Sequence, residues 1–488
     1  MNNKPSAELL ENPIQTLGTP LPPQAGVHAV SVCFPNWGHV LGYETGDKEI
    51  AGKLQTGYPR FRVPDPNQEL HTKLGDSPEK KALVFPSKKL LLRMVRKDLE
   101  DLHNEVTFGK LEQLPGGTIV TAQAEEVQQR IQKWWQHVGG LSSRAAAQLN
   151  EGKRIEFTEQ EPHQQIKEKI AKLYLTTPED VFLSAAGMTS FNTARAAIQK
   201  FKPGKTIQFG FPYVDSQESQ KKFGEIEFLG HGNDEIEKLE AIIKKDHENI
   251  SGIFLEFPTN PLLKSADLKQ LSAIARAHDI PVIIDDTLAP PTNVDLCEYA
   301  DLYVTSLTKY ASGEGNVMAG SVALNPKSPY AQELKEVLEE THEETLFVED
   351  AEILNENMQD WEGRMEIINQ TTKEVVEFLR THSKIKTVHY SDDEIYQQHA
   401  KGTEHGGGLF SLEFHNPEDA ISFYNNINIC KGPSLGTNFT IACPYTLLAH
   451  FNELNEVADF EIPEHLVRIS IGLEEKNDLI ERIQKALI

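Results

Sequence analysis

Three short stretches of this chain carry residue types that could share one chemistry. Lys309 lies in VTSLTKYASG, with Ser306 and Thr308 just before it. Asp285 closes the apolar run PVIID, and Thr287 follows two positions later. Upstream, FLSAAGM ends an apolar run in small residues, with Gly187 and Met188 last. A lysine amine can condense with an aldehyde and afterwards carry protons. A carboxylate at a strand end can keep a pyridine nitrogen protonated. A glycine turn entering a helix offers unpaired amides to a phosphate. Each alone is weak, since most lysines are solvated surface charges and most strand-end aspartates are caps. Their order and context together are the parts that grip pyridoxal 5'-phosphate.

These residues need a sheet to hold them. From Pro162 onward helical and strand patterns alternate. EPHQQIKEKIAKLYL and MTSFNTARAAIQKF read as helices. VFLSAAG, TIQFGF, ISGIFLEF, PVIIDD and DLYVTSL read as buried strands. Such alternation implies a mostly parallel sheet covered on both faces, an α/β fold. The tail, with GGGLFSLEF, LVRISIGL and a closing helix, reads as a smaller α+β domain. The expected domains are an arm at 1–62, a large domain at 63–335 and a small domain at 336–488. The large domain includes a segment at about 63–160 with two strand-helix patterns and no assignable chemistry. Residues 1–62 are rich in Pro and Gly and read as irregular, with a charged helical stretch near GDKEIAGKL.

Bulk properties narrow the partners. The chain has 488 residues, enough for two or three domains. A formal net charge of −25 argues against nucleic-acid backbones and anionic membrane surfaces. No apolar run is long enough to cross a bilayer, and the first residues lack the pattern of a signal peptide. Cys33, Cys297, Cys430 and Cys443 form no Cys-x-x-Cys and read as reduced thiols. The expected location is therefore cytoplasmic. The 17 histidines show no metal-site spacing, and no metal is expected.

At the level of motifs the chain resembles the pyridoxal-phosphate enzymes of cysteine and methionine metabolism, within the fold-type I group. The resemblance rests on Ser-Leu-Thr-Lys-Tyr at 306–310, Ile-Asp-Asp-Thr at 284–287 and Ala-Gly-Met at 186–188. It also rests on Glu-Phe-Pro-Thr-Asn-Pro at 256–261, Tyr-Pro-Arg at 58–60 and Arg-Ile-Ser-Ile-Gly at 468–472. The TGYPRF patch, the FPS strand and the tail GPSLGTNFTIACPYTLLAH look most similar to fungal-type cystathionine γ-synthases. The resemblance implies Lys309 as Schiff-base lysine and proton shuttle, and Asp285 as partner of the ring nitrogen. It implies Gly187, Met188, Ser306 and Thr308 at the phosphate, and Thr287 at the ring or phosphate. Tyr213 would stack on the ring and Asn260 would donate to the ring oxygen. Tyr58 and Arg60 would reach the phosphate of a neighbouring subunit's cofactor, so a homodimer or homotetramer with shared sites is expected. Arg468, assisted by Ser434, would clamp a substrate carboxylate; Tyr58 and Tyr213 would assist proton transfer.

The chain also departs from the family's pattern. Asp286 stands where the family has asparagine, and Val214-Asp215 where it has two glycines. Pro433 and Phe439 replace two glutamates at positions expected to line the substrate side. The activity implied is a γ-replacement: an O-succinyl- or O-acetylhomoserine and cysteine yielding cystathionine, in methionine biosynthesis and transsulfuration. A homoserine-ester sulfhydrylase, a cystathionine γ- or β-lyase, and a cofactor-free scaffold stand as alternatives.

Overall fold

In a computed structural model the chain is described over residues 6–75, 81–89, 91–92, 106–230 and 234–488. Most of the basic helix expected after Phe85 lies outside the described residues.

The centre is a seven-stranded sheet. Its strands are β6 (Val181–Ser184), β7 (Lys205–Phe209), β8 (Ile226–Leu229), β9 (Ile250–Glu256), β10 (Val282–Asp285), β11 (Leu302–Thr305) and β12 (Gly320–Leu324). In space they run β6-β12-β11-β10-β9-β7-β8. All neighbours are parallel except β12, which is antiparallel to both β11 and β6. Every residue of β9 is buried, as a strand covered on both faces requires. The chain adds β8 on one side of β7 and β9 on the other, so growth reverses between β7 and β9, and in such sheets ligands bind beyond the carboxyl ends of the strands. Asp285 ends β10, and Gly187, Tyr213 and Lys309 follow the ends of β6, β7 and β11.

The small domain holds a five-stranded sheet of β13 (Ile385–His389), β14 (Leu409–Phe414), β15 (Cys430–Lys431), β16 (Ile441–Pro444) and β17 (Val467–Ser470). The long helix Trp361–Arg380 packs on β13.

The segment after the arm forms a body of its own. Strands β3 (Lys81–Phe85), β4 (Val106–Leu111) and β5 (Leu114–Ala122) make an antiparallel sheet in the order β3-β5-β4. The helix Glu125–Val138 puts Ile131, Trp134 and Trp135 against Leu83, Phe85 and Val120. Its other side meets the helix Gly187–Phe201.

The arm is ordered and belongs to its own chain's core. Short strands β1 (Pro20–Leu21) and β2 (Ser31–Val32) pair antiparallel. A helix follows at Trp37–Glu44, capped by Asn36, whose side chain accepts from His39 N. The sequence pattern did not announce this helix. Val32, Phe34, Trp37 and Val40 join the main apolar core. Backbone bonds run from Val30 N to Gly315 O at 2.9 Å and from Phe34 N to Lys431 O at 2.8 Å. An arm carrying such large apolar side chains has a strong hydrophobic reason to dock, and here it docks intramolecularly. This departs from the expectation of an irregular arm.

Candidate active site

A cavity of about 200 Å³ opens beyond the carboxyl ends of the sheet strands, where the large domain, small domain, arm and insert meet. Lys309 stands at its centre. Its Nζ donates to Tyr58 Oη and lies 4.4 Å from the Tyr58 ring centroid. Tyr58 Oη also shares a hydrogen bond of 3.0 Å with Ser434 Oγ. The sequence-based expectation placed Tyr58 and Arg60 in a neighbouring subunit's site. Within the single chain both residues line the cavity, Tyr58 in contact with Lys309.

Asp285 and Asp286 take opposite sides of the sheet, as alternation at a strand end dictates. Asp285 faces the cavity and accepts from Thr287 N at 3.0 Å. Asp286 turns into the core, where Tyr174 Oη donates at 2.5 Å and Thr305 Oγ1 at 2.7 Å. Burial pushes the Asp286 carboxyl up to about 7. Glu256, in register with Asp285 on β9, accepts from Tyr213 N at 2.5 Å. Burial raises both carboxyls, and Glu256 goes further because it also feels the Asp285 charge.

At one end Gly187 opens the helix Gly187–Phe201, whose first amides have no intrahelical partner. A Cβ at Gly187 would sit 2.8 Å from Ser306 Cβ, so glycine is what lets Ser306, just after β11, approach the helix start. Ser306 N donates to Thr287 Oγ1 at 2.8 Å, which orients Thr287 toward the same corner. Thr308 lines the cavity, but its hydroxyl is engaged with Ala319, accepting from N at 3.0 Å and donating to O at 3.2 Å. Its expected donation to a phosphate is therefore not what this geometry provides. Ser306 remains the hydroxyl of that pair at the helix start. A helix terminus, a cradle that only glycine leaves open, an amine and a buried acid on one cavity fit pyridoxal phosphate.

At the other end Arg468 is buried on β17. Its Nη1 donates to Asn260 Oδ1 at 3.0 Å and its Nη2 to the Ser434 carbonyl at 3.1 Å. The guanidinium lies 4.4 Å over the Tyr445 ring, and Asn260 Nδ2 donates to Tyr445 Oη at 3.1 Å. Asn260 thus orients the arginine fork with its carbonyl and has one N–H engaged on Tyr445. Tyr445 was not singled out from sequence; its signal there was its place in the CPY tail motif.

Tyr213 lines the cavity at 36% exposure, and its Oη donates to Asp215 Oδ2 at 2.8 Å. Arg60 Nη2 donates to the Leu448 carbonyl. Burial alone would lower the Arg60 guanidinium, but Asp215, Tyr213 and Glu44 together raise it. Asp215, at a position where the family has glycine, thus joins the arm to the site.

Phe439 is a correction. It does not line the substrate side; it is fully buried with Leu9, Leu21 and Cys33, where it receives the arm. Pro433, Ser434 and Leu435 do line the cavity. So do Trp135, Gln136 and Leu141 of the insert, to which the sequence assigned no chemistry. Among the described residues no cluster of three His, Cys, Asp or Glu could hold a metal, and no helix is long and apolar enough to cross a membrane.

Comparison with known proteins agrees with this construction. A cystathionine gamma-synthase of Saccharomyces cerevisiae is 28% identical, over 97% of this chain and 99% of its own length. A cystathionine gamma-synthase-like protein of Aspergillus thermomutatus is 30% identical, over 97% of this chain and 94% of its own. A Campylobacter jejuni structure that carries N'-pyridoxyl-lysine-5'-monophosphate shares the fold at a TM-score of 0.59 and 22% identity, covering 67% of this chain and 86% of that one. The fold is that of the fold-type I pyridoxal-phosphate enzymes. Residues 153–488, which hold the lysine, both ends of the cavity and the whole seven-stranded sheet, match the family described as Cys/Met metabolism PLP-dependent enzyme, and the chain belongs to that family.

Proposed function

We propose that this pyridoxal-phosphate enzyme catalyses γ-replacement, joining an O-succinyl- or O-acetylhomoserine to cysteine to form cystathionine. The observation that carries the reading is the opposition, across one cavity, of a lysine–tyrosine proton couple and a buried arginine fork. The end-to-end match to the yeast synthase supports the same choice.

Pyridoxal phosphate, when bound, supplies an electron sink for charge at the carbon bearing the substrate amine. The Gly187 and Met188 amides with Ser306 would hold its phosphate, Asp285 its ring nitrogen and Tyr213 its ring face. Arg468 binds the substrate carboxylate through its fork, pre-oriented by Asn260 and Tyr445. Lys309 Nζ takes the Cα proton and then moves a proton at Cβ. Tyr58, hydrogen-bonded to both Lys309 and Ser434, keeps that amine aimed and relays protons. The Cγ–O bond breaks, the carboxylic acid leaves, and the cysteine sulfur bonds to Cγ as its thiol proton is released. Pro433 and Leu435 present an apolar wall to the departing acyl group.

Purified protein supplied with acetyl, succinyl and phosphoryl esters of homoserine, each with cysteine or sulfide, tests this. Cystathionine by mass spectrometry is the expected product. Ketoacid and ammonia without a thioether would establish a lyase, and preference for sulfide a sulfhydrylase.

A further inference from the structure

We propose that Asp215 equips the mouth of the cavity with a second proton couple: through Tyr213 it takes up the thiol proton as sulfur bonds to Cγ. This rests on the γ-replacement reading, and it answers a need that the Lys309 side leaves open. The departing acyl group is stable as its carboxylate and needs no acid. The incoming thiol is different. An ordinary cysteine thiol titrates near 8.5, so at neutral pH only a few per cent of it is thiolate. Its proton has to be taken up as the S–C bond forms. Lys309 is committed elsewhere, because the protons it takes from Cα and Cβ are those it returns.

The geometry places the acceptor. Tyr213, at 36% exposure, is the most exposed residue lining the cavity and so stands where a second substrate enters. Its Oη donates to Asp215 Oδ2 at 2.8 Å, which leaves that oxygen's lone pairs free to accept a proton from the cavity. Asp215 is half-buried and lies in the first turn of the helix Val214–Phe223, where the helix dipole favours a charged carboxylate. Tyr213 N donates to Glu256 at 2.5 Å, so the phenol hangs from an anchored backbone. Arg60 and Tyr58 also face Tyr213, and Arg60 faces Asp215. The two tyrosines at the cavity thus have different partners, an amine for Tyr58 and a carboxylate for Tyr213. Glycine stands at position 215 in the family's pattern, so the fold does not require a carboxylate there. In the step itself a sulfur lone pair bonds to Cγ, and the electron pair displaced toward Cβ takes the proton held by Lys309. The S–H electrons stay on sulfur. The thiol proton passes to Tyr213 Oη, the phenol proton passes to Asp215, and Asp215 gives it to water. Tyr213 touches the reacting atoms, and Asp215 is its positioning residue.

The pH dependence of kcat/KM for cysteine, from about pH 7 to about 9.5, separates this role from a structural one. Asp215→Asn is an isosteric change at an open helix start. Without the couple the thiol has to arrive as thiolate. The variant's deficit should be about 30-fold at pH 7 and shrink to about twofold at pH 9.5. Asp215→Glu should recover much of the loss at pH 7. A deficit equal at every pH, or none, would overturn the proposal. Tyr213→Phe keeps the ring and loses the hydroxyl. Adding Asp215→Asn to it should cost no more than about twofold, and losses that multiply would overturn the couple. A second readout needs no thiol: exchange of the Cα proton of norvaline in D2O, followed by NMR. Asp215→Asn should lose about 10-fold less there than in cystathionine formation at pH 7. Equal losses would mean a general disturbance of the site and count against the proposal. Wild-type protein that exchanges the norvaline proton yet forms no thioether from any ester fails the γ-replacement reading itself, and this proposal with it.

Discussion

Lys309, Arg468 and Asp286 answer to different physics. Lys309→Ala removes the amine at the centre of the cavity, and kcat should fall about 10²- to 10⁴-fold, as for loss of a general acid–base. Steady-state assay with a fixed ester and cysteine reads this directly. Arg468→Lys keeps the charge but loses the planar fork that Asn260 and Tyr445 orient. Its kcat/KM should drop about 10- to 150-fold, the worth of hydrogen bonds to a charged group. The same residue scale contains a pH-dependent cost. The folded state raises the Asp286 carboxyl from 3.8 to about 7, so it binds this proton more tightly than the unfolded chain does. Asp286 therefore costs nothing below about pH 4 and progressively destabilises the fold as pH rises toward 7, by at most about 4 kcal/mol. Asp286→Asn removes that cost and gives up part of the Tyr174 and Thr305 bonding, about 1 kcal/mol. Thermal melts should show the variant more stable than wild type at pH 8 and no better at pH 4.5.

At the scale of elements the decisive feature is the meeting of a helix start with a strand end. Gly187 begins the helix that faces Ser306, and the space between them is smaller than a methyl group allows. Gly187→Ala should destabilise the protein by about 1–3 kcal/mol through overpacking. Titration with pyridoxal phosphate should show weakened binding as Ser306 is displaced. This element is legible in the sequence, because apolar FLS, small AAG and an amphipathic helix follow each other without interruption. The alternation of Asp285 and Asp286 is legible for the same reason, since a strand end has a period of two. Thr308 is not: its neighbour Ala319 lies on the return path to β12, outside any local pattern.

At the scale of the whole molecule the arm is the test of unity. Phe34 is fully buried in the core shared by the large and small domains. Phe34→Ala should cost about 3–5 kcal/mol. Calorimetry should show the loss in the main transition rather than in a separate, low-temperature melt of the arm.

By itself the amino-acid order determined the sheet, the cofactor class and the residues at the ends of its strands. Those follow from patterns a few residues long, and a strand or helix start imposes its geometry on the next residues whatever surrounds it. Only the tertiary structure decided that Tyr58 bridges Lys309 and Ser434, that Tyr445 and Asn260 set the Arg468 fork, that Phe439 packs against the arm rather than a substrate, and that the insert walls the cavity. Each of these joins positions far apart in the chain, and nothing local favours one such pairing over another. They are settled by which apolar surfaces the folded chain can bury together, and that is a property of packing rather than of spacing.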